Sequence, residues 1–333
     1  MTSVVLCLFF ITLICQASLS SSSSSTCNQE DKRVLLQIKK EANNPSFLSS
    51  WSPHTDCCDM SWSGVSCGYK TNRVQYITLI GNLADRHAFQ IPPSFGNLPR
   101  LERLFLFAFP NLTGPIPESI SKLKNLMFLT ISDTAISGPI PSSLGKLKNL
   151  VDLDLSFNKL SGTLPPSLSQ LHLLTRMDFD NNKLTGTIPD SYGSLKNVFT
   201  LALSHNQLSG RIPESLGKMN NLYYVGLSQN RLEGDAYMLF GSNKGTVRMF
   251  LSRNMLEFDL GRVELPVNMT TLDVSHNRIY GKLPVGVQNL ESLNVSYNRL
   301  CGEIPKGGNL QSFNVSSYSH NACLCGVPLP SCK

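Results

Sequence analysis

The sequence predicts an α/β solenoid of leucine-rich repeats: a right-handed superhelix with a parallel concave β-sheet, ten repeats of ~24 residues, and disulfide-stapled terminal caps. Three observations lead there. From Val74 to Tyr297 the chain reiterates L-x-x-L-x-L-x-x-N-x-L-x-G-x-I-P, as in the stretches 150–165, 174–189 and 198–213. A polar anchor recurs at Asn82, Asn111, Thr134, Asn158, Asn182, Asn206, Asn230, Asn254, Asn277 and Asn298. The six steps from Thr134 to Asn277 are 24, 24, 24, 24, 24 and 23 residues. Finally, the cysteines gather at the two ends, and none lies inside repeats two to nine.

Each element follows from local chemistry. Residues 1–26 carry an apolar run from Val4 to Cys15 and a serine tract, which reads as a secretory signal peptide. That run is too short for a comfortable membrane span, so membrane insertion is not expected. Residues 27–70 form a cysteine-rich cap with a helix. Asn28 caps that helix, Asp31 three residues on completes an approximate capping box, and Val34, Leu35 and Ile38 make its apolar stripe. Residues 71–300 hold the ten repeats. Within each, the second and third leucines alternate with outward positions and set a short strand. The polar anchor turns inward to satisfy backbone groups of neighbouring coils, and G-x-I-P breaks regular structure. Repeat two carries a two-residue insertion around Phe109–Pro110. Strands ~4.8 Å apart make ten coils a sheet roughly 45 Å long. Residues 301–333 form the C-terminal cap.

Of ten cysteines, Cys7 and Cys15 belong to the signal and eight remain in two clusters of four. Spacings of C-C and C-x-C are poor for zinc, and a secretory route favours disulfides. Each cluster allows three connectivities that spacing alone does not choose between. Sequential pairing is the expectation: Cys27–Cys57, Cys58–Cys67, Cys301–Cys323 and Cys325–Cys332. Acceptor sequons N-x-S/T stand at Asn111, Asn268, Asn294 and Asn314, with Asn111 placed at a convex turn and Asn294 on the last strand.

Enzyme signatures are missing from the sequence: there is no G-x-S-x-G, H-E-x-x-H, P-loop or dinucleotide-binding glycine motif. Carboxylates do cluster, but an open face does not exclude water from a sugar ring as a glycosidase must. No catalytic residue, metal or cofactor is expected. The net charge of +6, from 29 basic and 23 acidic residues, favours retention on an acidic polymer such as pectin. Nucleic acid is not an expected partner, because the basic residues are dispersed.

Function should therefore reside in the concave face. Its outward positions include Phe128, Asp133, Asp152, Asp154, Phe157, Arg176, Asp178, Asp180, His205, Gln229 and Arg248, together with the serines 132, 156, 204, 228, 252 and 275. Asp154 and Asp178 share one mid-strand position on adjacent strands, which puts their β-carbons roughly 5 Å apart. Like charges side by side destabilise a sheet. The patch suits a basic partner flanked by the aromatic anchors Phe128 and Phe157. A blander alternative is a solvated polar face with one Asp152–Arg176 pair. Further along, Arg248, Arg253 and His276 turn the face mildly basic.

Several motifs now resemble a known family. L-x-G-x-I-P is similar to the plant-specific repeat, and the stretch from Ser50 to Cys67, S-W-S-P-H-T-D-C-C-D-M-S-W-S-G-V-S-C, resembles the cap of plant extracellular repeat proteins. The tail C-G-E-I-P-K-G-G-N-L-Q-S-F from Cys301, with C-L-C-G-V-P-L-P-S-C from Cys323, resembles that of polygalacturonase-inhibiting proteins. So do D-S-Y-G from Asp190 and E-G-D-A-Y-M-L-F-G-S from Glu233. The resemblance implies a monomeric, secreted, glycosylated protein of the plant cell wall. Such a protein binds fungal and some insect endo-polygalacturonases, using concave acidic residues against the enzyme's basic cleft, and also binds pectin. It further implies that Val247, the first outward position of repeat eight, tunes specificity. An ice-binding or ligand-binding member of the same scaffold is the alternative.

Overall fold

The computed structural model describes residues 26–82 and 87–333; apart from Thr26, the expected signal segment lies outside the described residues. Eleven strands form one continuous sheet. The first, Val65–Cys67, runs antiparallel to Val74–Ile80. From Val74–Ile80 onward ten strands pair in parallel and in chain order, ending at Ser292–Asn294. These ten are the strands of the ten repeats. The first three span seven residues and the other seven span three, and in each short one the motif leucines turn inward: Leu153 and Leu155, or Leu201 and Leu203, are at most 1% exposed. No coil buries that surface alone, so stacking is what closes the core.

The opposite side is built from one-turn 3₁₀ helices that the sequence reading did not specify. Ser142–Lys146, Pro166–Gln170 and Asp190–Ser194 each follow the proline of I-P or L-P. Proline presets φ near −65°, and an i→i+3 bond then closes the turn, as from Leu144 N–H to the Pro141 carbonyl. A flanking sheet of short strands, Thr185–Gly186, Gln207–Arg211, Arg231–Gly234 and Met255–Leu256, joins the two sides.

The anchors turn inward as expected. Asn206 donates from Nδ2 to the carbonyls of Phe179, Leu203 and Ser204 and accepts from Leu184 N–H. The same four-bond pattern recurs at Asn182, and each amide thereby bridges adjacent coils. The residue before each anchor adopts the left-handed conformation; this holds for Asp133, Phe157, Asn181, His205, Gln229, Arg253, His276 and Tyr297, with φ between 53° and 56°. That conformation costs roughly 1–2 kcal/mol for a residue with a β-carbon, so the anchor's bonds must offset it.

Three expectations are corrected here. Strand register pairs Phe109, not Asn111, with the Thr134 anchor. Phe109 is buried and packs on Phe47 at 4.9 Å, so an apolar contact with the cap replaces the amide. The insertion is a single residue after the anchor column: Phe109 to Leu112 spans three steps where Thr134 to Ile136 spans two, and the Leu112 carbonyl is still met by Ala135 N–H. Asn111 stands on the turn that leads into the strand Leu112–Thr113, and it is half-buried there. Last, the ladder runs past Asn298. Asn321 donates to the Val295 and Tyr318 carbonyls and accepts from Leu300 N–H, which makes the C-terminal cap an eleventh coil.

At the other end Asn28 caps the helix Gln29–Glu41 by accepting from Glu30 and Asp31 N–H. Asp31 does not complete a capping box. It is 1% exposed and instead accepts from Arg73 at 2.7 and 2.8 Å and from Val74 N–H, tying the cap to the first repeat strand. The cysteines pair as Cys27–Cys57, Cys58–Cys67, Cys301–Cys323 and Cys325–Cys332. The first four sulfurs lie within 4.8 Å of one another, but disulfide sulfurs are not thiolate ligands for a metal.

Asn206→Ala removes four bonds at a buried site and should cost about 2–3 kcal/mol. Gln207→Ala on the exposed flank should stay within about 0.5 kcal/mol. Chemical denaturation of both variants checks the pair, and equal losses would show that the amide ladder does not carry the stacking.

Candidate binding face

Strand register sorts the outward residues into columns running across the sheet. One column contains Tyr76, Arg103, Phe128, Asp152, Arg176, Thr200, Tyr224 and Arg248. The next contains Thr78, Phe105, Thr130, Asp154, Asp178, Ala202, Gly226 and Phe250. The left-handed residues Asp133, Phe157, His205 and Gln229 form a separate edge. Phe157 is 57% exposed there, and Gln229 Nε2 lies 3.1 Å from His205 Nε2.

The serines expected to face outward do not. Ser132, Ser156, Ser204, Ser228, Ser252 and Ser275 are all buried, because the chain is already turning toward the anchor. Asp180 stands in that column and accepts from Ser204 N–H. Asp154, also expected outward, is 8% exposed and accepts from Ser156 N–H and Oγ.

The structure brings Asp152, Asp154, Asp178 and Asp180 together around one cation. Arg176 Nη1 lies 2.9 Å from Asp154 and 3.5 Å from Asp152, and Nη2 lies 2.7 Å from Asp178. A single Asp152–Arg176 pair is thus the least of its contacts. Burial opposes the Arg176 charge, but its carboxylate neighbours, Asp154 foremost, outweigh that and raise its pKa. Burial raises Asp152 and Asp178, the Asp154 charge adds to the rise, and Arg176 offsets it only in part. Asp180 is pushed up to about 7, by burial first and the Asp178 charge second. Asp133 stays apart on the exposed edge.

Repeats one and two add residues not anticipated, although the same columns read two coils earlier contain them. The Arg103 guanidinium sits 4.9 Å from the Phe128 ring and 5.7 Å from that of Tyr76. Phe128 is therefore already covered by a cation–π contact. Phe105, Phe107 and Arg103 wall a groove that runs on to Asp152 and Asp154. Toward the other end, Arg248 is exposed, while burial and the nearby Arg253 lower the His276 pKa. The basic character of that end rests on the two arginines. Val247 is half-buried at the strand entry, its N–H on the Tyr223 carbonyl.

Models of the leucine rich repeat N-terminal domain match residues 28–68, and leucine rich repeat models match 149–171, 172–232, 268–290 and 289–308. The chain is 52% identical over 325 residues to a polygalacturonase inhibitor of Pyrus communis, covering 97% of each. It is 51% identical to polygalacturonase inhibitor 1 of Phaseolus vulgaris, over 97% of this chain and 95% of the relative. The chain belongs to the polygalacturonase inhibitor family of plants. Members of that family are inhibitors rather than enzymes. The inhibitor scaffold is also used otherwise. The leucine-rich repeat protein FLOR 1 of Arabidopsis thaliana is 49% identical over 99% of this chain and 98% of its own length. A plant ice-binding protein superposes with a TM-score of 0.86 at 44% identity, over 92% of this chain and 98% of the other. Among the described residues no helix of this inhibitor-family chain is long and apolar enough to cross a membrane.

A raised Asp180 pKa has a definite sign. The native state holds that proton more tightly than the unfolded chain, so stability falls as pH rises from about 4 through about 7. Asp180→Asn keeps an acceptor for Ser204 N–H without the charge. Its melting temperature should gain roughly 2–4 °C on wild type between pH 5 and pH 8. Melts at the two pH values check this, and a constant difference would contradict it.

Proposed function

We propose that the protein inhibits fungal endo-polygalacturonases, and some of insect origin, by holding the enzyme against its concave face in the plant cell wall. One observation carries the reading: three aspartates share a single arginine on the inner sheet of a chain in this inhibitor family, with Asp180 next to them. Those acids pay for their burial only partly through Arg176, and a basic cleft brought against them would relieve the surplus charge. Family membership supports secretion, and we propose action as a monomer. Val247, His205, Gln229, Phe157 and Arg248 would then border the contact and adjust which enzymes fit.

Pectin is the second proposed partner. The position after each anchor is basic and exposed at Lys159, Lys183, Arg231, Arg278 and Arg299, a lateral column suited to a polyanion. Arg299 is partly engaged, 3.5 Å from Glu257. Exposed Asn268 and Asn314 are the sequons best placed for glycans, since a glycan on half-buried Asn294 would stand on the inner strand Ser292–Asn294 and one on Asn111 would crowd its repeat.

The similarity to an ice-binding protein supports an alternative, ice recognition without inhibition. Against it, the mid-strand column Thr130, Asp154, Asp178, Ala202, Gly226 and Phe250 is too mixed to match a lattice. A reducing-sugar assay on polygalacturonic acid, with a panel of fungal endo-polygalacturonases, tests the lead reading. Dose-dependent inhibition is expected, and Asp152→Asn/Asp178→Asn should weaken it about tenfold or more, with a shallower salt dependence. Absence of inhibition across the panel, together with measurable thermal hysteresis, would move the function to ice.

A further inference from the structure

The strand-entry column, one residue ahead of the Arg176 column, carries two large aromatic rings on consecutive coils. Phe199 and Tyr223 stack face to face, with centroids 4.7 Å apart and planes 8° apart. Their backbones are pinned by a ladder, Phe199 N–H to Thr175 O at 2.7 Å and Tyr223 N–H to Phe199 O at 2.9 Å. Phe199 is 49% exposed, and Leu173 beside it is 51% exposed. The same column has Glu102, Met127, Val151 and Thr175 in the preceding coils, so the aromatic pair is local to this place and is not a demand of the repeat.

A groove of about 810 Å³ begins at Leu173 and Phe199 and reaches Asp152 and Arg176, so the exposed ring of the pair opens onto the edge of the acidic cluster, with Tyr223 stacked behind it. Stacking fixes both rings before any partner arrives, so little side-chain entropy is left to lose on contact. Rigid aromatic rings next to half-desolvated charge are the composition of an interface hot spot. The charge also selects the occupant. Arg176 in the groove is already shared by three carboxylates, so an anionic galacturonan chain would meet surplus negative charge at Asp152, whereas a protein segment with a basic residue is drawn in.

We propose that Phe199 and Tyr223 are the apolar anchor of the enzyme interface, receiving a partner side chain that lies beside a basic residue seated at Asp152. This centres the enzyme on the strand-entry side of the central coils and leaves the left-handed edge at the border of the contact. It rests on the inhibitory function proposed above.

The test measures affinity and inhibition for one endo-polygalacturonase that the wild-type protein inhibits, alongside melting temperatures and retention on polygalacturonic acid without enzyme. Phe199→Ala/Tyr223→Ala should weaken binding at least tenfold, about 1.4 kcal/mol. Phe199→Tyr should restore most of it, and Val285→Ala, at a site 92% exposed outside the inner sheet, should change nothing. The single alanine variants substitute if the double variant melts early. Unchanged enzyme affinity in folded variants overturns the anchor alone. Lost retention on polygalacturonic acid with enzyme affinity intact also overturns it, assigning the pair to polysaccharide. A wild-type protein that binds no enzyme overturns the anchor together with the inhibitory reading.

Discussion

The inward asparagine amide is the constraint on which the rest of this molecule depends. A solenoid coil ends each strand by turning sharply into its own core, which strands backbone carbonyls where water cannot reach them. Asn158, Asn182 and Asn206 donate to those carbonyls, and the preceding coil's N–H donates to the amide oxygen, as Leu160 does to Asn182 and Leu184 to Asn206. One short side chain thereby satisfies two coils at once. Its reach limits the rise between coils, and the repeat length stays near 24 residues because the amide must return to the same place. The left-handed residue before each anchor is the local cost of that turn.

The candidate binding face follows from this geometry. Only the strand positions between inward leucines are free to vary, and the sheet holds them in straight columns about one strand spacing apart. Acids placed in neighbouring coils are forced together whether or not they attract. Arg176 reaches three of them because it occupies the column beside Asp154 and Asp178, with Asp152 on the adjoining strand. The arrangement stores unbalanced negative charge on a rigid surface. An isolated domain gains little from such an arrangement, and a complementary partner gains much.

Departures from the repeat mark the ends, where the stacking has to stop. Phe109 exchanges the amide for an apolar contact with Phe47 and Phe89 under the N-terminal cap. Asp31 bridges the cap helix to Val74 through a buried ion pair and a backbone bond. At the far end Asn321 repeats the anchor within the disulfide-bonded cap, where Cys323–Cys325 adds a last strand to Arg299–Glu303. Both caps continue the solenoid's own hydrogen bonding, and this is how they shield the core from solvent.

The leucine and asparagine spacing by itself determined the solenoid, its ten strands, their parallel order and the adjacency of Asp154 with Asp178, because a periodic backbone turns sequence offset directly into position. Motif resemblance carried the family. What only the tertiary structure decided lies across coils or off the period. Arg176 shared among three acids, Arg103 over Phe128, and Phe199 on Tyr223 depend on side-chain reach between strands. The serine column was misread because alternation continues in the sequence where the backbone has already begun its left-handed turn. Asn111 was misread for the opposite reason: an insertion shifts letters without shifting the stack, and pairing register, not spacing, says which residue fills the core.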